Sequence, residues 1–153
     1  MPLDINTKFF GPVPYSTEEV LHFPKGIFGF EEEREFLLIP FDGEDSALLC
    51  LQSITTPALA FLVMNPFTLD PNYAPILQPE ELRSMKVGSS HDLCYYVLCV
   101  VKDPISESTI NLKCPVVINE DTREAMQVIL DTPEFHMRHL LSEFASREAD
   151  AIC

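Results

Sequence analysis

Positive charge is what this sequence lacks. Only ten lysines and arginines stand against 24 aspartates and glutamates in 153 residues, a formal charge of −14. A nucleic-acid binder draws most of its affinity from basic side chains that displace counterions at phosphates. Here the basic residues are scattered singly and form no patch, so no direct nucleic-acid partner is expected. The same sign repels anionic membrane surfaces and attracts basic protein faces over about 8 Å at physiological salt. The expected partner is a protein, and no membrane is involved.

Long apolar runs are missing as well. The longest, Leu93 to Val101, has nine residues, against about 20 for a bilayer-crossing helix. The opening Met1-Pro2-Leu3-Asp4 has neither the basic start nor the apolar stretch of a secretory signal. Five cysteines (Cys50, Cys94, Cys99, Cys114 and Cys153) form an odd set, four of them inside apolar stretches. That suits reduced thiols acting as small hydrophobes, and the expected location is the cytoplasm.

Recognisable machinery for chemistry is also wanting. There is no nucleophile elbow, no glycine-rich phosphate loop and no cysteine in a known local signature, so catalysis is not expected. Cys94 and Cys99 lie five apart on an expected strand, hence on opposite faces, and cannot pinch one ion. His136 and His139 share a spacing of three but make only half a metal site. No metal or other cofactor is expected.

What is present is 46% apolar residues arranged as short runs cut by 13 prolines. Ile5 to Phe10, Glu19 to Phe23, Phe36 to Ile39, Ala47 to Ser53, Leu59 to Met64 and Leu93 to Val101 read as strands. So do Thr109 to Leu112, Val116 to Ile118 and Ala125 to Leu130. Prolines between them break no ladder. The expected fold is mainly β, a small antiparallel barrel or sandwich with one or two short helices. One helix is expected near 79–86, where Pro79 and two acids mark a start. Another is expected near the C-terminus, beginning between Pro133 and His139, where Phe135, Met137, Leu140, Leu141 and Phe144 make an imperfect apolar stripe. Residues 1–131 then form the β domain, and 132–153 a helical tail packed on it or extending it.

Two surface features invite a functional reading. Pro24-Lys25-Gly26 suits a type I turn, and Phe28-Gly29-Phe30 follows with Glu31, Glu32, Glu33 and Glu35 around Arg34. Lys25 to Phe30 echoes an aromatic RNA-binding signature, but Ile27 is inserted out of phase and acids stand where aromatics belong. An acidic strip beside exposed aromatics is the functional alternative to an ordinary solvated surface. The second feature is the loop Asn65 to Tyr73, whose Phe67, Leu69 and Tyr73 either fold back over the core or anchor a partner.

The ordered set of segments resembles the flagellar assembly factor FliW family. It comprises Asn6-Thr7-Lys8-Phe9-Phe10-Gly11, Phe23-Pro24-Lys25-Gly26-Ile27 with Gly29-Phe30-Glu31, Leu51-Gln52-Ser53, Pro57 with Leu59-Ala60-Phe61, and Asn65-Pro66-Phe67. Pro71-Asn72-Tyr73, Asn111-Leu112, Pro115-Val116-Val117-Ile118-Asn119 and Gln127-Val128-Ile129-Leu130 complete it. The chain departs from the family's pattern at Asn65, at Ala74, at Arg123 to Met126 and in a longer tail. The resemblance implies a non-catalytic β-barrel that binds the translational regulator CsrA and so relieves repression of flagellin messenger RNA. It also implies binding to flagellin, which sequesters the factor. Residues assigned to partner contact are Asn6, Lys8, Glu31, Glu33, Phe67, Asp70 and Tyr73, with the acids steering and Phe67 and Tyr73 anchoring. Two alternatives are a metal- or small-molecule-binding barrel with hydrolytic activity and a chaperone that binds flagellin alone.

Overall fold

Along strand β4 (Glu35–Pro40) Phe36 and Leu38 face one apolar cluster while Leu37 and Ile39 face another, the two-residue period of a strand covered on both sides. The computed structural model describes residues 3–41, 48–104 and 107–141. Preceding β4 are β1 (Leu3–Thr7), β2 (Gly11–Tyr15) and β3 (Leu21–His22). Following it are β5 (Leu48–Ser53), β6 (Ala60–Met64), β7 (Cys94–Val100), β8 (Thr109–Ile110), β9 (Val116–Asn119), β10 (Glu124–Gln127) and β11 (His139–Leu140). Two short helices, α1 (Pro66–Leu69) and α2 (Pro79–Ser84), lie between β6 and β7.

The sheet closes on itself. Its order runs β7-β6-β5-β4-β3-β10-β9, and β9 returns to β7 through Cys94↔Ile118, Tyr95↔Val117 and Tyr96↔Val116. β8 and β11 extend the sheet beyond β7 as a flap. The expected β-barrel is thus present, with one correction: β3 and β10 pair in parallel at His22 and Glu124. Inside the barrel Leu21, Phe23, Phe36, Leu51, Val63, Val116, Ile118 and Ala125 form one apolar core, with Phe23 edge-on to Phe36 at 5.1 Å. Outside it, Tyr95, Val97, Val117, Val128 and Leu130 form a second cluster under the two helices and the C-terminal residues. Cys94 packs on the inner cluster and Cys99 on the outer, as their spacing of five requires.

Three local expectations are corrected. The run Ile5 to Phe10 is not one strand: it turns after Thr7 and returns as β2, which pairs Ile5 with Val13 and Asn6 with Pro12. Pro12 and Pro14 are two apart, so their missing donors fall on the edge facing away from β1, where no ladder is lost. The loop after β6 begins with α1, because the Asn65 side chain accepts the Phe67 amide and Pro66 occupies the first turn. The C-terminal stripe makes no helix through residue 141. Leu112 and Lys113 donate to the carbonyl of His136, β11 pairs with β8, and Leu141 donates to the carbonyl of Ser108, so the backbone bonds its neighbours instead of itself. Residues 142–153 of the expected helical tail lie outside the described residues. The helix expected near 79–86 is α2, with Gln78 at its cap and Glu81 closing a capping box. Among the described residues no helix is long and apolar enough to cross a membrane.

Candidate protein-binding surface

The acidic turn is built from the core outward. Phe23 is fully buried, and its carbonyl accepts the Gly26 amide at 2.9 Å across Pro24 and Lys25, closing the expected turn. Gly26 has φ +68, and a Cβ there would stand 2.5 Å from the Glu31 Cα and carbonyl oxygen. Ile27 turns inward and is buried, then exchanges two backbone hydrogen bonds with Phe30. This leaves Phe28 and Phe30 exposed at 48% and 42%. The structure alone decides the burial of Ile27; from sequence it only stands out of phase with the RNA-binding signature. Phe30 leans on Phe61 of β6 at 5.2 Å, and the Phe28 amide donates to Gln127 Oε1 at 3.0 Å. Gln127 is itself buried in β10 and donates to the Cys114 carbonyl. The turn is therefore presented in a fixed pose.

The three acids beside it are not equivalent. Glu31 and Glu32 are exposed, whereas the Glu33 carboxylate accepts the hydroxyls of Ser53 and Thr56, at 2.9 Å for the latter. Glu33 stitches the turn to the β5–β6 connection. Close by, Gln52 accepts the Lys8 amide and donates to the carbonyls of Ser53, Pro57 and Leu59. Lys8 and Asn6 are exposed on the N-terminal ribbon, with the Lys8 ammonium 5.5 Å from the Phe9 ring.

Phe67, Asp70 and Tyr73 lie elsewhere. They follow the last residue of β6, while Phe30 packs on Phe61 near its first, so roughly 13 Å of strand separates the two groups. The seven assigned residues therefore do not form one cluster. Phe67 is exposed, and its ring meets Tyr73 at 5.7 Å and Tyr95 at 5.9 Å. Tyr73 is only 3% exposed, stacks on Phe135 at 4.7 Å, and donates its hydroxyl to the Leu112 carbonyl at 2.8 Å. Burial above all, then Tyr95 and Cys114, raises its pKa above the ordinary tyrosine value. The anchor role assigned to Tyr73 is corrected: its ring and hydroxyl are both spent inside the protein, and it supports Phe67 from beneath. Asp70 accepts the Asn72 amide in a local turn. Beside Phe67 opens a groove of about 520 Å³ walled by Pro75, Ile76, Leu93 and Tyr95.

Sequence reasoning missed Ile76, which is 70% exposed because Tyr73, Pro75 and Leu77 alternate inward around it. It also gave no role to three buried amides that clip surface loops to the barrel: Gln52 for the N-terminal ribbon, Gln127 for the Phe28 turn, and Asn119, which donates to the Met85 carbonyl after α2. For Gln52 and Gln127 the available signal was a polar residue inside an otherwise apolar run; Asn119 stands at the end of one. Gln127→Leu leaves the Phe28 amide and the Cys114 carbonyl unpartnered. The expected result is a loss of about 1 to 3 kcal/mol in urea unfolding, with faster hydrogen exchange at Phe28.

Comparison with known proteins adds an independent line. The family model "FliW protein" matches residues 4–141. The flagellar assembly factor FliW of Geobacillus thermodenitrificans (strain NG80-2) is 36% identical over 139 residues, covering 91% of this chain and 95% of that one. The flagellar assembly factor FliW of Caldanaerobacter subterraneus subsp. tengcongensis is 36% identical over 141 residues, covering 92% and 94%. A crystal structure of the flagellar assembly factor FliW superposes with a TM-score of 0.84 at 34% identity, covering 91% of this chain and 96% of that one.

Proposed function

The chain belongs to the FliW protein family, and on that premise we propose that it is a flagellar assembly factor that works by binding proteins and performs no chemistry. Its ligands in this reading are the translational regulator CsrA, whose hold on flagellin messenger RNA it relieves, and flagellin, which takes it up as flagellin accumulates. The observation that carries the reading is the turn at Phe28 and Phe30. Two exposed aromatic rings stand beside the exposed carboxylates of Glu31 and Glu32, on a loop immobilised by Gln127 and Glu33. Exposed, pre-organised aromatics are the usual anchors of protein interfaces.

Charge supplies the approach. A regulator that holds RNA is basic where it does so, and a chain at −14 is drawn toward such a surface. If the two ligands of CsrA act on one another without sharing a site, RNA must weaken binding of this chain by the same factor that the chain weakens RNA. A tenfold mutual effect needs only about 1.4 kcal/mol.

The direct test mixes the purified chain with CsrA, isolates the complex and adds flagellin. Release of CsrA is expected; retention under excess flagellin removes the switch, and failure to bind CsrA while binding flagellin leaves a chaperone. Steering is tested separately. Replacing Glu31 and Glu32 together by Lys should slow CsrA association several-fold at low salt and flatten its salt dependence, with dissociation little changed. Glu33 is unsuitable for this test, since its loss opens the Ser53 and Thr56 hydroxyls.

A further inference from the structure

One wall of the groove beside Phe67 is a strand without a sheet. From Tyr73 to Gln78 burial alternates residue by residue, with Tyr73, Pro75 and Leu77 buried and Ala74, Ile76 and Gln78 exposed, yet no strand among the described residues pairs with it. Its ends are tied down: the Tyr73 amide donates to the Asp70 carbonyl at 3.0 Å, and the Leu77 amide to Ser90 Oγ at 3.2 Å. Between these ties the amides and carbonyls of Ala74 and Ile76 meet no partner among the described residues. Alternate residues of an extended backbone share an edge, so Ala74 and Ile76 form an open one. Both are exposed and both border the groove.

The groove, of about 520 Å³, is lined mainly by apolar side chains, among them Phe67, Ile76, Leu93 and Tyr95. It adjoins an acidic recess. His91 and Leu93 line both spaces, and the recess, of about 230 Å³, is bordered by Asp92, Glu120 and Asp121. No lysine or arginine occurs in 66–82, 87–101 or 116–122, the stretches that contain nearly all of these walls. The flanking cations are engaged elsewhere, Lys86 with Glu124 at 2.7 Å and Arg123 with the Glu19 carbonyl. The two spaces together are complementary to a ligand with an apolar part and a basic part.

We propose that this groove takes an extended, basic segment of a partner protein by strand addition. The segment's main chain pairs with Ala74 and Ile76, a branched aliphatic side chain lies against Phe67, Ile76 and Tyr95, and a lysine or arginine reaches Asp92, Glu120 and Asp121. Main-chain pairing supplies affinity and the side-chain spaces supply specificity. The open edge selects an extended segment over a helix, whose amides are spent within itself. The carboxylates select a basic segment over an acidic one. The site is a strand's length from the turn at Phe28 and Phe30, and it does not depend on which proteins bind there.

The test titrates the full chain with acetyl-Lys-Val-Leu-Val-Lys-amide while following the amide resonances of Ala74 and Ile76 and the ring resonances of Phe67 and Tyr95. Saturable shifts at these residues are expected. The analogue with Glu in place of both Lys, and the analogue N-methylated at its three central residues, should each bind at least about tenfold more weakly. Ile76→Lys, at an exposed position where folding is little affected, should weaken the peptide by at least about tenfold as well. Joint replacement of Glu31 and Glu32 by Lys should leave peptide affinity unchanged, which separates this site from the turn. Absence of saturable shifts up to the solubility of the peptide overturns the proposal. Equal binding of either analogue, or unchanged affinity in Ile76→Lys, overturns it too. Loss of the peptide in the Glu31 and Glu32 variant would place it on the turn and have the same consequence.

Discussion

Gly26→Ala should destabilise the protein by about 3 kcal/mol and disable the acidic turn, whereas Gly29→Ala, three residues on, should cost only about 1 to 2 kcal/mol. Both glycines occupy the left-handed region, at φ +68 and +86, so both substitutions incur the conformational penalty of a Cβ there. They differ in what the Cβ meets. At Gly29 nothing lies within 4 Å, while at Gly26 the Cβ would meet three backbone atoms of Glu31 at 2.5 to 2.6 Å. Backbone cannot rotate aside as a side chain can, so the segment from Glu31 must move. Glu31 belongs to the presented surface, and Glu33, two residues on, is fastened to Ser53 and Thr56. The displacement therefore strains the link to the β5–β6 connection. Urea unfolding of the two variants checks the stability difference. CsrA binding should fall in Gly26→Ala even at temperatures where it remains folded; equal stabilities for the two variants would show that the close approach to Glu31 is easily relaxed.

Tyr73→Ala is expected to cost about 3 to 5 kcal/mol, and any loss of partner binding should follow from unfolding. The ring is buried against Phe67 and Phe135, and the hydroxyl satisfies the Leu112 carbonyl. Two companions separate packing from recognition. Tyr73→Phe keeps the ring and removes only the hydroxyl, so it should cost about 1 to 2 kcal/mol and leave the complex lifetime unchanged. Phe67→Ala removes an exposed ring and should cost less than about 1 kcal/mol in stability. If Phe67 is a contact, the complex should then dissociate at least several-fold faster. Thermal melts and dissociation rates measured on the three variants resolve the cases. A long-lived complex with Phe67→Ala would confine recognition to the turn at Phe28 and Phe30.

The strands from Phe36 to Ile39, Leu59 to Met64 and Leu93 to Val101 were legible because each is a run of β-favouring residues ended by a local breaker, and such patterns depend on near neighbours alone. The turn at Pro24 and the start of α2 were legible for the same reason. Pro12 and Pro14 concealed β2, since which edge of a strand faces a partner is not written in the residues of that strand. The stripe from Phe135 to Leu141 suggested a helix, yet Leu112, Lys113 and Ser108 offered its backbone better partners from far away in the chain.

The candidate surface divides along the same line. Acidity, the aromatic turn and kinship with the FliW family follow from sequence, because charge is additive and ordered motifs need no coordinates. Tertiary structure alone decided that Tyr73 is core, that Glu33 is bound while Glu31 and Glu32 are exposed, and that Phe67 stands a strand's length from Phe30. It alone closed β9 onto β7. Exposure and hydrogen-bond satisfaction are set by which distant segments meet, and only the folded chain brings them together.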